Sequence, residues 1–169
     1  MGKELKEKRL ALIIEHEEKT PYFAARRKLI FRLLSVMVLS RAVHAVLQTV
    51  YLLAHGIQLQ TYDCLMMFLM VVVGFVFARL IYASGIKPAV YLALFGGVYS
   101  LFMAWRDKVF LYLNTPDVFL NIVGIMLVAV ILFQIGIMLF FCVDKKCGMY
   151  FKSMSAIRKE VTESDFNVT

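Results

Sequence analysis

Five polar side chains recur along one apolar stretch of the sequence: Arg41, His44, Gln48, Tyr51 and His55. On an α-helix their steps of 3, 4, 3 and 4 residues keep them within an arc of roughly 80°, over about 21 Å of axis. A guanidinium, two imidazoles, an amide and a phenol on one face could hold an anion or an anionic lipid headgroup. The imidazoles could also relay protons, since their unperturbed pKa is about 6.5. The plainer reading is that these groups hydrogen-bond to neighbouring helices and fix their register. Arg41 decides between the readings, because an ionisable group deep in a bilayer costs about 2.5–3.5 kcal/mol on insertion scales. None of the twelve Asp and Glu residues lies in an apolar run; the nearest are Asp63, Asp107 and Asp117. Arg41 is therefore balanced by neutral groups (Gln134, Asn121, Tyr99, Ser100 or carbonyls), by a bound anion, or by a carboxylate of another chain.

A second pattern carries no chemistry but has a clear packing meaning. Ala89, Ala93, Gly96, Gly97, Ser100 and Ala104 fall within about 100° of arc on a helix. Small residues on one face let another helix approach closely and gain dispersion contacts that lipid does not supply. The partner is another helix of the same chain or, in the sharper alternative, a second copy of it.

Motifs for catalysis are missing. The sequence has no phosphate-cradling P-loop and no His-Glu-x-x-His pair. It lacks a Gly-x-Ser-x-Gly elbow and Cys-x-x-Cys as well. No cofactor or metal is expected, and an enzyme is disfavoured. The three cysteines, Cys64, Cys142 and Cys147, follow no disulfide spacing. Cys142 and Cys147 flank Lys145 and Lys146 where an apolar run ends, a place where acylation is chemically possible but where small apolar packing suffices.

The elements that must position these residues follow from composition. Of 169 residues, 61% are apolar and 18% charged, and the mean hydropathy is +0.74. A soluble domain is about 45–50% apolar, and one of this size could not bury so much apolar surface. The expectation is an all-α membrane protein of four transmembrane helices in a compact bundle. The spans read as about 29–54, 64–83, 89–105 and 118–143, inside a transmembrane domain at 21–150. Residues 1–20 read as a charged segment with a short helix, supported by the i,i+4 pairs Glu4–Lys8 and Glu15–Lys19. Residues 151–169 read as a C-terminal tail.

Pro21, Pro88 and Pro116 mark helix starts, Ser84-Gly85 marks an end, and no proline interrupts a span. Fourteen Lys and Arg lie before the first span, between the second and third, or after the fourth, whereas the other two loops hold only Arg106 and Lys108. That asymmetry puts both termini in the cytoplasm, with Trp105 and residues 109–113 at the outer interface. The net charge of +7 is then a topological signal with some attraction to anionic lipid, not a nucleic-acid surface. The expected partners are the bilayer and other membrane subunits or further copies of the chain. The sequence reads first as a non-catalytic membrane subunit or regulator. An oligomeric transporter or channel for an anion or anionic lipid, using the Arg41–His55 face, is the alternative.

Overall fold

Thr20 and Pro21 divide the charged N-terminal helix from the first apolar one. In the computed structural model, which describes residues 3–54, 56, 61–106 and 117–166, these are α1 (Lys3–Lys19) and α2 (Pro21–Ala54). Pro21 costs the helix no bond, because the first amides of a helix have no partner within it. The Thr20 carbonyl accepts from the Phe23 amide at 2.9 Å, which steers the chain directly into α2. Then come α3 (Thr61–Ser84), α4 (Lys87–Arg106), α5 (Val118–Val143) and α6 (Lys145–Phe166). The described chain is all-α. Two helices, α2 and α5, are long and apolar enough to cross a membrane, and two shorter apolar stretches, Phe68–Ser84 and Lys87–Met103, lie in α3 and α4.

The packing is most extensive between α4 and α5 and between α2 and α3, and α2 also lies against α5. Side chains on the outside of these four helices are large and apolar: Phe68, Phe75, Leu92, Phe95, Phe102 and Leu132 are all exposed. At one end the arrangement changes. There α1, the first turns of α2, the last turns of α3 and all of α6 converge on Phe23, Ile30, Ile81, Tyr150, Met154 and Ile157, which are wholly buried. The Tyr150 ring packs against Phe23, tilted by 30° with centroids 5.2 Å apart, and its hydroxyl donates to the Tyr82 carbonyl at 3.0 Å. That bond serves a carbonyl in the last turn of α3, where no amide of the helix remains to do so.

The C-terminal segment differs from its reading as a tail. Residues 145–166 form one helix, and Cys147, Tyr150, Phe151, Met154, Ile157 and Val161 make its buried stripe. The charges of this segment conceal the stripe in an average, but its spacing is that of an amphipathic helix packed on a core. Asp144 makes the junction. It closes α5 with an extended backbone, its amide donating to the Phe140 carbonyl at 2.9 Å, and its carboxylate accepts from the Cys147 amide at 2.7 Å at the start of α6. Helix α5 is itself capped by Asp117, which accepts from the amides of Phe119 and Leu120. Thr115, Pro116 and residues 109–113 lie outside the described residues.

Candidate functional site

Arg41 lies midway along α2 and is only partly exposed. Its Nη2 donates to Oε1 of Gln134 on α5, and its Nη1 donates to the Met70 carbonyl of α3 at 3.3 Å. Gln134 is buried and passes the connection on, its Nε2 donating to the Ala93 carbonyl of α4 at 3.0 Å. One guanidinium and one amide thus tie the four apolar helices together. Both carbonyl acceptors are mid-helix, so each must offer its second lone pair.

Each acceptor also lies one turn before a glycine. A Cβ at Gly74, four residues after Met70, would lie 3.3 Å from Cδ of Arg41 and 3.4 Å from its Nη1. One at Gly97, four residues after Ala93, would lie 3.4 Å from Nε2 of Gln134 and 3.0 Å from Cγ1 of Ile135. The two glycines open the sides of α3 and α4 so that a polar side chain can reach the backbone. Gly97 belongs to the small-residue stripe. Gly74 was not singled out by sequence; its relation to Met70 emerges only when α2 is placed beside α3.

The other polar residues of α2 are placed as follows. His44 is buried and hydrogen-bonds the Val123 backbone, while its Nε2 is buried with no hydrogen-bond partner among the described residues. Gln48 is half-buried. Tyr51 donates to Oδ2 of Asp117 at 3.2 Å, and its ring stacks on Phe119 with centroids 5.7 Å apart. His55 lies outside the described residues. Arg41, His44 and Tyr51 therefore all engage α5. On α4, Ala89, Ala93 and Gly97 are buried, and Gly96 and Ser100 are half-buried. The Ser100 hydroxyl donates back to the Gly96 carbonyl at 2.8 Å, and Ala104 falls in the last turn.

Cys147 is wholly buried, and burial, followed by its contact with the Asp144 carboxylate, pushes its thiol up to about 12. The thiol therefore stays protonated at neutral pH, a poor nucleophile for acylation. Among the described residues, no three His, Cys, Asp or Glu side chains are grouped closely enough to hold a metal ion. What the arrangement can do chemically is bind helices to one another. Comparison of the chain with protein-family profiles, curated protein sequences and solved structures gives no match.

Proposed function

We propose that the chain is a four-span integral membrane protein with both termini in the cytoplasm, and that it acts without catalysis as a subunit or regulator of a membrane complex. The carrying observation is that Arg41, the one cation in the middle of an apolar helix, spends its bonds inside the protein, on Gln134 and the Met70 carbonyl. A group so engaged stabilises the bundle and leaves the outer apolar surfaces of α3 and α4 to meet lipid or another chain. Fourteen basic residues on one side against two on the other support the orientation.

Single cysteines at positions 58 and 152, in a chain freed of its native cysteines, are expected to label from opposite sides of sealed vesicles. Labelling from one side overturns the orientation. Gentle solubilisation followed by mass measurement of the intact particle tests the function. A particle containing other membrane chains supports a subunit, and a monomer with no partner opposes it. One observation favours the transport reading: the Nε2 of His44, on the same face as Arg41, has no hydrogen-bond partner among the described residues. A symmetric ring of this chain alone, conducting anions in liposomes, would replace the subunit reading with that one.

A further inference from the structure

A cleft of about 560 Å³ opens where α1 crosses the end of α3. Arg9 of α1, Arg27 of α2 and Arg79 of α3 line it, together with apolar side chains that include Leu10, Phe75 and Leu80. It joins a second groove of about 470 Å³ between α2 and α3, and Phe75, Arg79 and Tyr82 line both. The second groove is apolar, bounded by Phe31, Leu34, Val38, Leu39 and Ala42. From Phe31 to Ala42 it follows α2 for roughly 17 Å, away from the arginines.

The charges in the first cleft do not balance. Arg27 donates to Oε1 of Glu17 at 2.7 Å and lies over the Tyr82 ring at 5.3 Å. Arg9 donates to the Ala83 carbonyl, a neutral acceptor at the end of α3. Arg79 makes no hydrogen bond or ion pair among the described residues. Of the three guanidiniums, Arg27 is paired with a carboxylate, that of Glu17, and Arg79 with none among the described residues. The Nε groups of both Arg9 and Arg27 are also buried without an acceptor among the described residues. Burial, and next the charge of Arg158 on α6, lower the pKa of Arg9. An acceptor with several oxygens would meet Arg79 and the guanidinium groups that line the cleft, as phosphate does in fork-like contacts with arginine.

We infer that this pair of cavities binds one anionic glycerophospholipid, its phosphate among Arg9, Arg27 and Arg79 and an acyl chain in the groove between α2 and α3. Each half selects against other occupants. A soluble phosphate gains nothing from the apolar groove, and a zwitterionic headgroup brings an ammonium toward three cations. A basic pocket at the cytoplasmic ends of membrane helices is where such headgroups are bound. The inference rests on the membrane reading proposed above, and it adds a ligand and a site that reading does not contain.

The test uses the full chain in mild detergent, with thermal unfolding and intact-mass measurement of bound lipid. Phosphatidylglycerol is expected to stabilise the protein and stay bound, and phosphatidylethanolamine to do neither. Arg79→Gln, which breaks no internal bond, should weaken phosphatidylglycerol binding tenfold or more. Arg32→Gln removes an exposed charge from α2 outside both cavities and should leave binding unchanged. Ser35→Phe, at an exposed position lining the groove, should also weaken binding by obstructing the acyl chain. Equal losses in Arg79→Gln and Arg32→Gln would mean diffuse surface attraction and overturn the site. Equal binding of the two lipids, or full displacement of lipid by glycerol phosphate, would overturn it too. Partition of the protein into the aqueous phase of a detergent phase separation would instead overturn the membrane reading, so the two failures are distinguishable.

Discussion

Gly85 and Met154 touch where the end of α3 meets the middle of α6, so closely that a Cβ at position 85 would overlap Cβ of Met154. Gly85 also has φ +59°, the left-handed conformation that ends a helix while its amide still donates to the Ile81 carbonyl, here at 3.2 Å. Both reasons exclude a side chain. Met154 is fully buried and cannot swing away. Gly85→Ala should therefore cost about 2 kcal/mol or more, from backbone strain plus overpacking. Gly56 provides the control, with φ +64° and nothing among the described residues within 4 Å of its added Cβ. Gly56→Ala should show the strain alone, roughly 1 kcal/mol. The two melting temperatures in detergent check this, and equal shifts would mean that α6 does not press on the turn.

Gly97 concerns a different contact. Its added side chain would press on Ile135 and crowd the amide of Gln134. Gly97→Leu should separate α4 from α5 and cost about 1–3 kcal/mol or more by overpacking. Val98, its neighbour, is exposed, and Val98→Leu should change stability by less than about 0.5 kcal/mol. Thermal unfolding of both variants decides it. Comparable destabilisation would show that the small face does not form a tight helix contact.

The parts of the fold written in local pattern were legible. The apolar runs fall within α2 to α5, Pro21 opens α2, and Ser84-Gly85 closes α3. Polar spacing likewise identified Arg41 and His44 as sharing a face, and Gln134 was among the neutral groups able to serve the arginine. Other features depend on which helices become neighbours. Nothing in the local sequence says that Met70 and Ala93 supply acceptors, or that Gly74 and Gly97 clear the way to them. The role of α6 was hidden for another reason. Lys145, Lys146, Lys152, Arg158 and Lys159 make its average polar, although its apolar residues keep a helical period. The cleft of Arg9, Arg27 and Arg79 draws on three helices, and basic residues near membrane ends read first as topology.

Asp144 should make the junction of α5 and α6 sensitive to acid. Burial alone would raise its pKa, but the amide and thiol of Cys147, then Arg26 at 3.6 Å and Lys146, together hold it below the usual carboxylate value. A carboxylate with a lowered folded pKa adds stability that is fully present above the unfolded pKa, about 3.9, and is lost as pH falls through the folded one. The contribution is thus complete at neutral pH and disappears below about pH 4. Asp144→Ala should cost about 0.5–2 kcal/mol at pH 7 through loss of the cap. Asp144→Asn keeps an acceptor for the Cys147 amide and should lose less, with a flatter acid limb in melting temperature. An unchanged acid limb in Asp144→Asn would assign the pH dependence to other groups.

The last prediction separates a structural Arg41 from a ligand-binding one. Gln134→Leu leaves the Nη2 donor of Arg41 without its side-chain acceptor, which should cost about 1–3 kcal/mol and more if the charge stays desolvated. Arg41→Met strands the other partner, Oε1 of Gln134, at a similar cost of about 1–3 kcal/mol. Combining the two removes donor and acceptor together, and an apolar pair in place of a buried polar one is often neutral or stabilising. If the bond between them is the reason for both residues, the double variant should recover most of the loss. The coupling should then be about 0.5–3 kcal/mol, as residues in direct contact usually show. Melting temperatures of the four proteins in one detergent, with and without added anion, give the cycle. Additive losses would mean that each residue serves something other than its neighbour. An anion-dependent stabilisation that survives Gln134→Leu but vanishes in Arg41→Met would identify that something as a ligand. Recovery in the double variant, with no response to anion in any of the four, is the outcome expected of an arginine whose work is to hold four helices together.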